Sequence, residues 1–211
     1  RKSLGPALQH SADILGIDLN YFWVSPEAAA ADVLGKCDAV FIGPGEAAED
    51  TTGILKVIQS ARLNRIPCLG TCGGFQRIVS EYALHELNFG KLEHEEISPD
   101  AHNPFFSHLN CSLIGEEAEV QLIHDSRAAQ IYDSEQILER FFCLYGINNL
   151  YLDRLQSADL KVSAFDSTGE ARIVELPNHP FFMATLFVPQ VRSTPTHPHP
   201  LITAFLKATI Q

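Results

Sequence analysis

Two short apolar runs do most to restrict the fold. Asp38-Ala-Val-Phe-Ile-Gly43 and Ile66-Pro-Cys-Leu-Gly70 each stop at a glycine and give way to helical period, Thr52 to Leu63 and Gly73 to Leu84. A continuous apolar run bounded by turn residues is the pattern of a strand buried on both faces. Upstream, Leu4, Leu8, Ala12 and Leu15 recur at helical spacing, so the chain opens on a helix with one apolar face. Ile17 to Val24 reads as a further short strand, and residues 27–35 as a helix of alanines closed by Gly35. The expected order through residue 84 is therefore α-β-α-β-α-β-α, which predicts an α/β fold of three layers, a mostly parallel central sheet flanked by helices. A helix with no strand before it is an odd start for such a fold, so an initial strand is expected to be missing from the sequence.

Size and charge narrow the function. The 211 residues suit a single domain, 1–211, and 45% apolar with 19% charged residues is globular composition. Fifteen basic against twenty-six acidic residues give a net charge of −11. Nucleic acid and anionic membranes need a basic footprint, so neither is expected as a partner. No apolar run approaches the roughly 20 residues of a membrane span. Five cysteines without a pairing pattern do not read as a disulfide framework, which points to a cytoplasmic protein.

The later chain is less regular. Residues 85–110 hold four histidines, a run of acids and two prolines with no clean period, and read as an irregular excursion or lid. Strands are expected at Cys111 to Ile114, Val120 to Ile123 and Phe141 to Ile147, then a short helix at Asn149 to Ser157. Asp159 to Phe165, Ala171 to Leu176 and Phe181 to Phe187 follow as strands, the first two joined through Ser167-Thr-Gly169. A proline-rich loop then leads to a last helix, Leu201 to Ile210.

The stretch that carries chemistry is Pro67-Cys-Leu-Gly-Thr-Cys-Gly-Gly-Phe-Gln76. A buried strand ends at Gly70, a sharp turn sets Cys72 at its tip, and a helix begins at once, which is the logic of a nucleophile elbow. The helix N-terminus directs partial positive charge at the sulfur and lowers a thiol's pKa. The N–H of Gly73 points where an oxyanion would sit. The plainer alternative is a buried cysteine in a tight turn, but the small residues on both sides favour a reactive thiol.

These segments resemble a class I glutamine amidotransferase domain, in particular the glutaminase domain of CTP synthase. That family has a strand, a Pro-Gly oxyanion loop, a helix and a G-x-C-x-G-x-Q elbow. Val40-Phe-Ile-Gly-Pro-Gly45 and Gly70-Thr-Cys-Gly-Gly-Phe-Gln76 match them. Asn178-His-Pro-Phe-Phe-Met-Ala-Thr-Leu-Phe-Val-Pro-Gln190 looks like its final strand, and Phe141 to Asn148 like the strand bearing its Arg-Tyr-Glu-Val-Asn motif. The resemblance covers 38–84 and 141–211 and implies a flavodoxin-like fold with a small antiparallel part. It implies Cys72 as nucleophile and Gly45, Glu46, Gly73, Gln76 and Tyr145 as oxyanion and substrate-binding residues. It implies no cofactor. It also exposes departures: the family's general base and orienting acid fall at Val188 and Gln190, and its motif arginine at Leu144. Ordinary glutamine hydrolysis thereby loses both its base and part of its substrate clamp.

Other residues were weighed for the missing base. His179 starts the last strand, near 30 Å from Val188 at about 3.3 Å per residue. His197 and His199 read as a lead-in to the final helix, while His94, His102 and His108 lie in the excursion that could cover the pocket. None has metal-ligand spacing, so no metal site is expected. Cys143 reads as a core residue, though facing the same pocket as Cys72 it would make a redox pair. Cys37, Cys68 and Cys111 read as small buried apolar residues. No G-x₄-G-K-[ST] loop is present, so the chain is not a complete CTP synthase. The reading is a cysteine enzyme acting on glutamine or another small amide or acyl compound. The alternatives are a binding or regulatory module with a degenerate triad, and a thiol-redox protein. A homodimer and a separate synthetase partner both stay open.

Overall fold

The computed structural model describes residues 2–45 and 51–210. Its helices are α1 (Leu4–Leu15), α2 (Thr52–Leu63), α3 (Gly73–His85), α4 (Arg127–Tyr132), α5 (Leu152–Gln156) and α6 (Pro200–Lys207). Its strands are β1 (Val40–Ile42), β2 (Cys68–Thr71), β3 (Phe106–His108), β4 (Glu117–Leu122), β5 (Gln136–Arg140), β6 (Tyr145–Ile147), β7 (Lys161–Phe165), β8 (Ala171–Glu175) and β9 (Phe182–Thr185). One sheet runs β1-β2-β9-β8-β7-β4-β5, and β3 pairs with β6 in a small antiparallel ribbon. Pairing is parallel across β1, β2 and β9. It is antiparallel from β9 onward to β5. The expected α/β class and the small antiparallel part are both present.

Alternation along β1 shows how the layers form. Phe41 meets the ring of Phe205 on α6 at 6.0 Å between centroids, whereas Ile42 backs onto Gly74 at the start of α3. Successive side chains of a strand point to opposite faces, so α6 and α3 cover opposite sides of the sheet. α1 packs with α6, and α2 with α3. Fully buried Phe75, Ile78, Leu69, Phe182, Met183 and Phe187 fill the space around β2 and β9. Each such side chain contributes roughly 1.5–3 kcal/mol by leaving water. α1 ends where expected, at Gly16 with φ +66°, and the Ile17 N–H returns to the Ala12 carbonyl at 3.1 Å.

Several segments differ from the sequence expectation. Ile17 to Val24 is extended but pairs with no strand among the described residues, and Tyr21, Phe22 and Trp23 are about half exposed. Residues 26–36 form two 3₁₀ turns, Pro26–Ala28 and Ala31–Lys36, in place of an α-helix. The interruption at Ala29 has a packing cause: a Cβ on Gly53 of α2 would lie 2.2 Å from the Ala29 carbonyl oxygen, and the extended backbone there sets that contact. Tertiary packing overrides alanine's helix propensity. Cys111 to Ile114 is turn and coil, with Cys111 exposed, and of Phe141 to Ile147 only Tyr145–Ile147 is strand. α4 and β5 were not expected. α4 is only six residues long and holds through Ser126, whose Oγ accepts the Ala129 N–H, and Glu175, whose carboxylate accepts the Arg127 and Ala128 N–H groups. The excursion at 85–110 is irregular as read, apart from the end of α3 at His85, an isolated bridge between His94 and Phe106, and β3.

The closest helix–sheet approach is at α3, where a Cβ on Gly74 would lie 2.0 Å from the Ile42 carbonyl oxygen. Gly74→Ala is expected to lower unfolding free energy by about 1–3 kcal/mol through overpacking against backbone. Urea unfolding checks this, and a variant as stable as the parent would show that the contact can open freely.

Candidate active site

β2 ends at Thr71, and Cys72 then adopts φ +54° and ψ −114° before α3 begins. A cysteine at positive φ is strained, and strain of this kind persists only where surrounding bonds hold it. Here the Cys72 N–H donates to the Thr185 carbonyl of β9 at 2.9 Å, and the Phe75 N–H donates back to the Cys72 carbonyl at 2.9 Å. Three glycines let the turn close. A Cβ on Gly70 would lie 2.7 Å from the Gly74 carbonyl oxygen, and one on Gly73 would lie 2.3 Å from the Gly45 oxygen and 2.7 Å from the Gly45 nitrogen. The Gly45 backbone thus lies directly against the elbow. Glu46, the next residue named from the sequence, lies outside the described residues.

The thiol's neighbour is a second thiol. Cys143, on the unpaired stretch before β6, places its Sγ 2.6 Å from the Cys72 Sγ and 3.4 Å from the Leu186 carbonyl oxygen. Cys72 is held below the ordinary thiol range, first by the hydrogen bond from Cys143, then, against burial, by the Gly73 N–H and the charge of Arg77. Cys143 is pushed up by the same hydrogen bond and by burial. The contact thus favours the ionised form of Cys72 and the protonated form of Cys143. The sequence reading favoured Cys143 as a core residue. It is 94% covered, yet its sulfur faces the elbow.

Val188 and Gln190 are both buried. The Val188 N–H donates to the Arg140 carbonyl at 2.9 Å, which runs the chain after β9 alongside the stretch that carries Cys143. Gln190 donates its Nε2 hydrogen to the Thr71 hydroxyl at 3.2 Å, one residue before Cys72. Its Oε1 is buried with no partner among the described residues. Among these residues no histidine is hydrogen-bonded to Cys72. His179 bonds the Phe181 N–H and faces the Ala61 carbonyl, as a structural turn residue. His199 caps α6 and bonds the buried Glu139 carboxylate at 2.8 Å.

Gln76 and Tyr145 form a second wall. The Gln76 Nε2 donates to the Tyr145 carbonyl at 3.1 Å, and its Oε1 lies 3.4 Å from the His94 Nε2. The His94 ring sits between Phe106 and Tyr145, at 5.4 and 5.0 Å between centroids, and His108 lies on the other flank of Tyr145 at 4.7 Å. The excursion therefore folds back onto the residue one helical turn from Cys72, through His94 alone of its histidines. The sequence named His94 among several and had no signal for choosing it. Among the described residues no group of three or more His, Cys, Asp or Glu side chains is placed to hold a metal, and no helix is long and apolar enough to cross a membrane.

Comparison with known proteins agrees with this fold. The family described as Glutamine amidotransferase class-I matches residues 2–208. The CTP synthase of Caldivirga maquilingensis is 35% identical over 222 residues, covering 99% of this chain and 41% of its own length. That of Saccharolobus solfataricus is 29% identical over 221 residues, covering 98% and 41%. The chain thus spans about two fifths of the length of these relatives. The solved glutaminase domain of the Trypanosoma brucei CTPS, with bound acivicin, is 26% identical with a TM-score of 0.91, covering 99% of this chain and 87% of that one.

Burial drives the His94 imidazole down to about 4 against the opposing pull of Glu95. An unfolded histidine titrates near 6.5. Between these values the unfolded chain binds a proton that the folded chain does not. The stability that His94 contributes is complete above pH about 6.5 and is lost as pH falls toward 4. His94→Gln is expected to flatten the fall in unfolding midpoint across that interval. Parallel pH profiles for parent and variant would contradict this.

Proposed function

This chain belongs to the class I glutamine amidotransferase family, and from that premise we propose that Cys72 is a nucleophile acting on glutamine or a related small amide. The carrying observation is the strained elbow, with a thiol of lowered pKa flanked by the Gly73 N–H and the Gly45 backbone. In this reading the Cys72 thiolate adds to the amide carbonyl carbon, and the oxyanion takes hydrogen bonds from the elbow. The C–N bond then breaks as the amine leaves with a proton taken from solvent water, since burial and its neighbour make Cys143 hold its own. A thioester to Cys72 results.

Release of that thioester is the weak half. Water must attack it, and the family's base and orienting acid are replaced by Val188 and Gln190. The domain is therefore proposed to acylate readily and turn over slowly. Any acceptor for released ammonia would lie outside these 211 residues, which match about two fifths of the length of a CTP synthase. Five free cysteines fit a reducing compartment such as the cytoplasm. One observation favours a second reading, a binding or regulatory module: Gln190 is spent on a structural bond to Thr71. In that case Cys72→Ala would keep ligand affinity and the thiol would stay unlabelled.

Acivicin, bound in the trypanosomal relative, is the probe. The reduced chain is expected to gain one covalent adduct at Cys72 by intact mass, and Cys72→Ala none. Absence of the adduct in the parent would remove the nucleophile reading. Restoring the pattern with Val188→His and Gln190→Glu together is expected to raise ammonia release from glutamine by about 10²-fold or more, the usual scale of general base catalysis. An unchanged rate in a folded double variant would show that the base is not what restricts turnover.

A further inference from the structure

The two sulfurs can do something that amide chemistry does not use. Cys72 and Cys143 stand 71 positions apart in sequence, yet their Sγ atoms are 2.6 Å apart, about half an ångström beyond the ~2.05 Å of a disulfide bond. Both are free thiols, one at the turn between β2 and α3 and the other on the unpaired stretch before β6. We propose that Cys72 and Cys143 are a redox pair that closes reversibly to a disulfide and so takes the elbow thiol out of the amide reaction. The pairing needs only the two sulfurs. Its effect on catalysis rests on the nucleophile reading above.

The two cysteines divide the work. Cys72 is the less buried of the two and the one whose ionised form is favoured, so an oxidant meets it first, while Cys143 is buried beside it and waits. With a hydroperoxide as oxidant, the Cys72 thiolate attacks a peroxide oxygen. The O–O bond breaks, hydroxide leaves to become water, and the sulfur becomes a sulfenic acid. Cys143 then gives up its proton and attacks the Cys72 sulfur. The S–O bond breaks, the departing hydroxide takes a proton to form a second water, and the S–S bond closes. Two thiols lose two hydrogens and the peroxide takes them up. A dithiol reductant reverses the change by thiol–disulfide exchange.

The surroundings suit this use. The charge of Arg172 acts on Cys143 and favours its thiolate against burial. That arginine is almost fully covered and held by Asp166 and Glu170, so its charge is fixed in place. Residues 141–144 form no strand, and the ribbon that follows pairs only three residues a side. Backbone hydrogen bonds hold Phe141 and Leu144 on either side of Cys143, so the side chains take up the last half ångström. Closure puts a covalent bond on the sulfur that must attack the amide carbon.

Treatment of the reduced 211-residue chain with hydrogen peroxide tests the proposal. Intact mass should fall by two hydrogens, peptide mapping should recover a fragment joining Cys72 to Cys143, and dithiothreitol should restore the original mass. Acivicin labelling of Cys72 is expected to drop at least about tenfold in the oxidised chain and to return on reduction, because only the thiolate reacts. In Cys143→Ser the peroxide should add oxygens to Cys72 that dithiothreitol does not remove. Oxygen addition to Cys72 in the parent, or a bridge between chains through exposed Cys111, would overturn the pair, and parent mapping decides this even where the variant fails to fold. A reduced chain that labels with acivicin but never bridges keeps the nucleophile and loses the switch. One that bridges but never labels does the reverse.

Discussion

The site rests on how closely the first turn of α3 comes to the carbonyl ends of β1 and β2. At Gly70, Gly73 and Gly74 any added Cβ would fall within 2.7 Å of backbone. This approach leaves the chain one residue in which to reverse from strand to helix, and that residue is Cys72, at a φ that L side chains rarely adopt. The cost is met by bonds on either side: the Thr185 carbonyl accepts the Cys72 N–H, and Gln190 secures Thr71. In return the thiol sits where the unpaired N–H groups of a thirteen-residue helix converge.

What distinguishes this elbow is its neighbour. An imidazole can take a proton from a thiol and hand it to a leaving group. A thiol whose pKa is raised can stabilise a neighbouring thiolate by donating its hydrogen, but it is a poor base. Cys143 therefore favours the charged form of Cys72 without supplying a route to activate water. The chain run that delivers Cys143 is tied to Val188 through the Arg140 carbonyl. Val188 and the second sulfur beside the elbow thus belong to one packed unit.

Much of this was legible in the sequence wherever the cause was local. Gly70 to Gly74 announce the elbow because only residues without side chains permit it, and the apolar runs at β1, β2, β7, β8 and β9 report strands covered by other layers. The failures have a common cause in partners that arrive from elsewhere. Ile17 to Val24 has the composition of a strand, but a strand needs a neighbour, and among the described residues β1 pairs only with β2. The alanines at 28–31 prefer helix, yet Ala29 is extended where its carbonyl packs against Gly53. α4 depends on Glu175, far along the chain, for two of its first N–H groups. Cys143 gave no sign of facing Cys72 because no periodicity spans such a separation, and His94 was one histidine among several until Gln76 and Tyr145 fixed its place.

The bond from Cys72 to Thr185 also bears on when the reactive thiol comes into being. β2 finds β9 as its sheet neighbour only after the chain has passed through the excursion, the ribbon and the antiparallel strands. Pairings so distant in sequence form late, because loop closure must be met before they contribute. During synthesis Cys72 leaves the ribosome long before Thr185 does, and a domain made in order from its N-terminus must wait for its last strand. Until then Cys72 is an ordinary cysteine on an unstrained chain. The nascent protein is thereby spared a reactive sulfur while it is least able to shield one.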